Sequence, residues 1–310
     1  KGHVVFFDPK LDAAAQRKAQ IERELPVAIA EGELMLLFQP RVGAIDRRIE
    51  SVEALIRWNH PTRGMCPPAE FIPIAEDSDL IVAIGTWVIE AACSQIAAWR
   101  LAGIEHLRVA VNLSARQLDS DRIEWDIDNA LARHGLDPQD LELEITESAL
   151  VGESDAITQR LERLRARGLM LALDDFGTGY SSMSYLRRLP VGILKVDRSF
   201  VTDVCTDPAA QAVARAIVAM ARSLNLRTVA EGVETREQLA LLCELGCDEL
   251  QGYYFSKPVG PESLVALLNE ALPLGSQPTP PTRWRAPMAR QSRFVTLEPP
   301  EDTQAVEVES

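Results

Sequence analysis

The sequence predicts an α/β protein with a (β/α)8 TIM-like barrel, and two observations carry that expectation. Eight short β-rich runs, centred on Leu36, Val52, Val109, Leu143, Leu171, Leu194, Val229 and Leu250, alternate with longer amphipathic runs. A regular alternation of that count favours a closed barrel over an open doubly wound sheet. In addition, polar residues gather near the C-terminal ends of the β-rich runs, where the active sites of such barrels lie.

Taken in order, residues 4–7 read as an orphan strand, and residues 12–32 have helical composition with Pro26 expected to kink or restart the helix. The first two β-rich runs follow. Helices are then expected over Leu80–Leu101, Ile123–His134, residues 155–167, residues 209–224, Arg236–Leu245 and residues 262–272, with strands between most of them. The last strand, residues 248–252, has the weakest pattern. Beyond Pro273 the prolines multiply and no apolar period is visible, so residues 275–310 are expected to form a disordered Pro-rich tail. A docking role for residues 284–293 is the alternative to a solvated tail there.

The 310 residues, 46% hydrophobic, suffice for one large core or two modest ones. A net charge of −14 argues against a long nucleic acid as partner. An acidic chain can still handle a small phosphate ester if bound cations reverse the local potential. Five cysteines, Cys66, Cys93, Cys205, Cys243 and Cys247, read as buried reduced thiols, which suits the cytoplasm. No apolar run is expected to reach membrane-spanning length, so no membrane segment is expected in this fragment.

Seven β-rich runs place a carboxylate, amide or amine near their C-terminal end: Glu53, Asn112, Glu144, Asp174 with Asp175, Lys195, Glu231 and Gln251. In Leu141–Thr146 the period of two sends Leu141, Leu143 and Ile145 to one face, and Glu142, Glu144 and Thr146 into the barrel. A buried carboxylate without a partner costs several kcal/mol, so a cation or a basic side chain must compensate. A single salt-bridged core carboxylate would explain one such position. Glu53, Glu144, Asp174 and Glu231 together with Asn112, against one lysine and few histidines, are better explained by metal. An all-oxygen ligand set favours Mg²⁺ or Mn²⁺ over Zn²⁺, and two ions would clamp a phosphodiester.

The run Glu53-Ala54-Leu55-Ile56-Arg57-Trp58 resembles the signature of the EAL-domain cyclic di-GMP phosphodiesterases. It is accompanied, in the order of that family, by Phe38-Gln39-Pro40, Asn112-Leu113-Ser114, Glu144-Ile145-Thr146-Glu147, Asp174-Asp175-Phe176-Gly177, Lys195-Val196-Asp197, Glu231-Gly232-Val233-Glu234 and Gln251-Gly252-Tyr253. The resemblance implies metal-dependent hydrolysis of cyclic di-GMP to linear pGpG. It further implies that Glu53, Asn112, Glu144 and Asp174 hold one ion, and that Asp175 and Glu231 hold the second with Asp174 bridging. Lys195 would orient the attacking water, Gln251 would support that water or Glu231, Arg57 would grip a phosphate, and Gln39 would contact the ligand. Glu147 resembles the residue that steadies the loop after Asp175.

The glycines of that loop lack the third glycine of a dinucleotide fingerprint. Asp79, Cys66 and Gly43 depart from the family pattern without touching a proposed ligand, and His60 reads as a loop residue. The resemblance divides the chain into residues 1–10, the remnant of a preceding GGDEF-like domain; residues 11–32, a linker helix; residues 33–274, the EAL barrel; and residues 275–310, the tail. It also implies a homodimer and a parent protein with N-terminal GGDEF or sensor domains. A receptor that binds cyclic di-GMP without cleaving it is the competing class; family receptors lose ligand positions, all of which are filled here.

Overall fold

The computed structural model describes residues 9–150, 155–177 and 186–269, all within one compact unit, Lys1–Pro278. The expectations for residues 4–7 and for the tail, including residues 284–293, lie outside the described residues. Helix α1 (Pro9–Ala30) leads into β1 (Leu34–Gly43), β2 (Ile49–His60) and the short β3 (Gly64–Cys66). Helices α2 (Pro68–Glu76) and α3 (Leu80–Leu101) precede β4 (Arg108–Leu113). Then come α4 (Ala115–Asp119), α5 (Ile123–His134), β5 (Leu141–Thr146), α6 (Asp155–Ala166), β6 (Met170–Phe176) and β7 (Ile193–Val196). The series closes with α7 (Arg198–Thr202), α8 (Pro208–Ser223), β8 (Arg227–Ala230), α9 (Arg236–Leu245), β9 (Glu249–Gln251) and α10 (Pro261–Asn269).

The strand order β1-β9-β8-β7-β6-β5-β4-β2, closed by β1 against β2, makes an eight-stranded barrel, with β3 added outside on β2. The barrel differs from a regular (β/α)8 ring of parallel strands at β1, which is antiparallel to both β2 and β9. Residues 44–48 are too few for the crossover that a parallel neighbour requires, so the chain turns back as a hairpin. The remaining neighbours in the ring are parallel.

Side-chain parity divides the barrel cleanly. Leu141, Leu143 and Ile145 are fully buried in the outer layer between strands and helices, while Glu142 and Glu144 are fully buried inside. The lower interior holds Arg41, Glu142, Arg108, Arg227 and Glu249 in a chain of ion pairs, with the hydroxyl of Ser51 donating to Glu249 at 2.8 Å. Beside it, Ala172, Ile193 and Val229 form a small apolar plug. The upper interior is the mouth.

Helix α1 runs through Pro26 without interruption. Ile21, Leu25 and Ala28, spaced by four and three residues, are buried in the main core. Its Glu24 meets His60 at 3.3 Å and Arg63 at 3.0 Å, and the indole of Trp58 donates to Glu33 just beyond the helix. His60, expected in a loop, therefore ends β2 and helps to seat α1. Helix α2 was not among the helices expected, and Pro73 lies inside it.

Helix α3 corrects another expectation: at 22 residues it is long and apolar enough, by length and composition, to cross a membrane. Here Ile84, Val88, Ile89, Ala92, Cys93 and Ile96 pack in the core of the barrel unit. All five cysteines are free; Cys66, Cys93 and Cys247 are buried as expected, but Cys205 is exposed and Cys243 half-buried.

The loop after β8 is laced to the end of β9. Val233 N–H donates to Gln251 O at 3.0 Å and Tyr254 N–H donates to Val233 O at 2.9 Å. A Cβ at Gly252 would lie 2.1 Å from Val233 O, so only glycine fits the approach. Two stability predictions follow from this packing. Leu25→Ala should cost about 2–5 kcal/mol in urea unfolding, as for other buried leucines. Gly252→Ala should lower the melting temperature and raise the hydrogen exchange of the Val233 and Tyr254 amides above that of the β4 and β5 amides.

Candidate active site

Each functional side chain at the mouth is placed by the inward parity of its strand. Gln39 on β1 stands opposite Glu53 on β2, and Asn112 on β4 stands beside Glu144 on β5. Glu53 is not at the end of its strand. The parallel pairing of β2 with β4 ends one residue past it, and β2 continues to His60 in the hairpins with β1 and β3.

Lys195 is the hub of the mouth. Its ammonium, 1% exposed, lies 2.7 Å from Glu144 Oε2, 2.8 Å from Asp174 Oδ2 and 2.6 Å from Glu231 Oε1, with Glu53 Oε2 at 3.9 Å. Three donors thus meet three acceptors. Burial by itself would lower the lysine pKa, but Glu231, Glu53 and Asp174 outweigh it, and the amine stays protonated far above neutrality.

Glu53 is fixed from both sides. Asn112 Nδ2 donates to its Oε1 at 2.9 Å, and Gln251 Nε2 donates to its Oε2 at 2.7 Å. Burial would push this carboxyl up, but Lys195 and Arg41 hold it below the usual range. Gln251 also donates to Gln39 Oε1 at 3.1 Å, and Gln39 Nε2 donates to Ser256 O at 3.1 Å. Of the two roles expected for Gln251, support of the water or of Glu231, the second has no direct hydrogen bond here: the side chain bonds Glu53, Gln39 and Arg41.

Asp174 and Asp175 are neighbours in sequence, and in a regular strand they would face opposite sides. The register of β6 against β7 shifts between Leu173 and Phe176, and Asp175 takes φ +54°. As a result Asp174, Asp175 and Glu231 bring carboxylate oxygens within 4.8 Å of one another. Burial, then Asp174, raises the Asp175 carboxyl, and burial pushes Glu231 up to about 7 despite Lys195. Five carboxylates, Glu53, Glu144, Asp174, Asp175 and Glu231, share this region with the single ammonium of Lys195. Even with Arg41 against Glu144, carboxylates outnumber cations here, and their hard oxygen donors suit a divalent metal ion.

Glu147 is 2% exposed, and its Oε2 accepts the amide of Gly177 at 2.9 Å, at the start of a loop whose residues 178–185 lie outside the description. Arg57 shares the inward parity of Glu53 and Leu55 but reaches none of the carboxylates: its guanidinium donates to Ile56 O at 2.8 Å. It remains close enough to feel the charge of Glu53. A cavity of about 240 Å³, lined by Gln39, Glu53, Asp174, Lys195, Glu231 and Tyr253 among others, opens over the cluster. Beside it an apolar groove of about 630 Å³ runs between β2, α2 and α3, with Asn112 on its wall.

Sequence reasoning missed Arg41. Its guanidinium is buried beside Glu142 and Glu144 and supplies the compensating charge that those inward glutamates require. The available signal was its parity with Gln39, two residues earlier in an otherwise apolar strand.

The EAL domain family model matches residues 22–258. Two proteins of Pseudomonas aeruginosa are each 44% identical to the chain over 84% of its length. One is the bifunctional diguanylate cyclase/cyclic di-GMP phosphodiesterase MucR, over 261 residues, and the other the cyclic di-GMP phosphodiesterase NbdA, over 259. The matches span 38% and 33% of those proteins, so the chain corresponds to little more than a third of their length. Among solved structures, the PaMucR phosphodiesterase in complex with c-di-GMP aligns with a TM-score of 0.76 at 44% identity, covering 79% of this chain and 99% of that one. The EAL enzyme Bd1971, bound to cAMP and cyclic di-GMP, aligns with a TM-score of 0.78 at 32% identity, covering 83% and 70%. The barrel, the clustered carboxylates and these likenesses together make the chain a member of the EAL domain family.

Proposed function

We propose that this chain hydrolyses one phosphodiester of cyclic di-GMP to linear pGpG with two divalent ions, Mg²⁺ or Mn²⁺. The observation that carries the reading is the Lys195-centred cluster of carboxylates at the barrel mouth, with its uncompensated negative charge. Glu53, Asn112, Glu144 and Asp174 would hold one ion, and Asp175 and Glu231 the other, with Asp174 shared. Bound there, the ions would polarise the phosphate and lower the pKa of a water.

The chain's own residues do the rest. Lys195 keeps Glu144, Asp174 and Glu231 converged, and one of its three donors would turn from a carboxylate to the attacking water once metal ions share those carboxylates. Gln251 and Asn112 hold both oxygens of Glu53. Arg57 stands at the outer part of β2, where a planar guanidinium suits a phosphate, and Gln39 lines the cavity that would take the ligand. Glu147 anchors the loop that follows Asp175 through the Gly177 amide. The same reading includes a cytoplasmic setting, supported by five free cysteines, and, from family resemblance alone, a homodimer and upstream GGDEF or sensor domains.

Incubating the chain with cyclic di-GMP and Mg²⁺ or Mn²⁺, followed by chromatography, should yield pGpG, and a chelator should abolish it. Binding of cyclic di-GMP without product at any metal concentration would replace hydrolysis by a receptor role. Glu53→Ala should reduce turnover by more than about a hundredfold in a folded barrel, beyond the usual effect of an outer-shell change. Lys195→Met leaves Asp174 and Glu231 without their ammonium and Glu144 with Arg41 alone, and should cost about 3–5 kcal/mol in chelator. Urea unfolding with and without Mg²⁺ checks this, since the metal should restore part of the loss.

A further inference from the structure

Among the described residues Arg41 and Lys195 are the buried cations, and the guanidinium of Arg41 sits beneath the mouth instead of in it. The residue is 1% exposed and stands opposite both Ser51 and Gln251 in the strand register. Three different side chains converge on it. Nη1 donates to Glu142 Oε1 at 2.6 Å, Nη2 pairs with Glu144 Oε1, and Nε donates to Gln251 Oε1 at 3.2 Å. These contacts reach two groups of the mouth from below. Glu144 gives Oε1 to Arg41 and Oε2 to Lys195, so its carboxylate plane is fixed by a cation on each side. Gln251 must turn its oxygen to the donor-only guanidinium, which forces its amino group toward Glu53 Oε2 and Gln39 Oε1.

We propose that Arg41 is a positioning residue of the centre: its rigid fork sets the carboxylate plane of Glu144 and the amide direction of Gln251, and through Gln251 the orientation of Glu53. The proposal rests on the metal-site reading above. Glu142, which takes no part in that reading, anchors the fork from the opposite side and is itself held by Arg108 at 3.2 Å. A lysine at position 41 would keep the charge but present a single nitrogen, which cannot span three partners in fixed directions.

The test compares Arg41→Lys with the unsubstituted chain. Mn²⁺ binding is followed by the loss of the free-ion electron paramagnetic resonance signal, and turnover of cyclic di-GMP is measured at saturating Mn²⁺. The variant should need about tenfold more Mn²⁺ for half-saturation, in the range seen when groups that orient metal ligands are changed. Its kcat should fall while KM for the dinucleotide moves less than about twofold. Because part of the effect of Arg41 runs through Gln251 and part through Glu144, Arg41→Lys should do less damage in a Gln251→Ala background than alone, without becoming silent there.

A lower melting temperature with unchanged Mn²⁺ affinity and kcat would make Arg41 a stability residue only and overturn the proposal, as would full additivity with Gln251→Ala. If the lysine variant does not fold, Arg41→Gln, which keeps a donor toward Gln251, takes its place in the same titration with the same criteria. Absence of Mn²⁺ binding by the unsubstituted chain would sink the metal reading and the proposal together. Tight binding by that chain and by the variant alike would sink the proposal alone.

Discussion

The structure depends on keeping ionised carboxylates inside a protein barrel. Glu142, Glu144 and Asp174 all lie at 7% exposure or less, where charge without a partner costs several kcal/mol per group. Two buried cations make this tolerable, and they divide the labour by depth. Arg41, with Arg108 and Arg227, balances Glu142 and Glu249 in the lower interior. Lys195 stands nearly alone above, so the lower half has one more cation than carboxylates, which Arg41 shares with Glu144, while the upper half keeps a deficit of positive charge. The interior is thus polarised along the barrel axis, and burial, joined by the neighbouring Asp174 and Glu53, pushes Glu231 up to about 7 against the pull of Lys195.

What the sequence makes legible is whatever local periodicity encodes. Leu141–Thr146 announces its two faces by strict alternation, and α5, α6 and α8 can be placed within a residue of their ends by apolar spacing. Strand direction leaves no such mark. The antiparallel β1 was recoverable only from the shortness of the turn at residues 44–48, because a parallel pairing needs a far longer crossover. Helix α2 was obscured by Pro73, since a proline inside a helix reads as a stop.

The candidate site divides along the same line. Inward parity brings Glu53, Asn112, Glu144, Asp174, Lys195, Glu231 and Gln251 to one mouth, and parity can be read from sequence. Partner choice cannot. That Gln251 serves Glu53 instead of Glu231, and that Arg41 reaches across to Glu142 and Glu144, depends on which strands become neighbours when the ring closes. Arg57 is intermediate: its strand and parity are legible, but its guanidinium turns to its own backbone at Ile56.

The register break in β6 has a consequence best expressed as ligand supply per strand. At any one level of a regular barrel, each strand can offer one inward side chain, so the number of donors at the rim is capped by the number of strands. By slipping its register between Leu173 and Phe176 and accepting φ +54° at Asp175, β6 offers two consecutive carboxylates to the same side. The barrel thereby gains a donor at its rim without another strand or a longer loop. The concession is confined to one residue's backbone, leaving Ala172 and Leu173 beneath it in regular pairing with their neighbours.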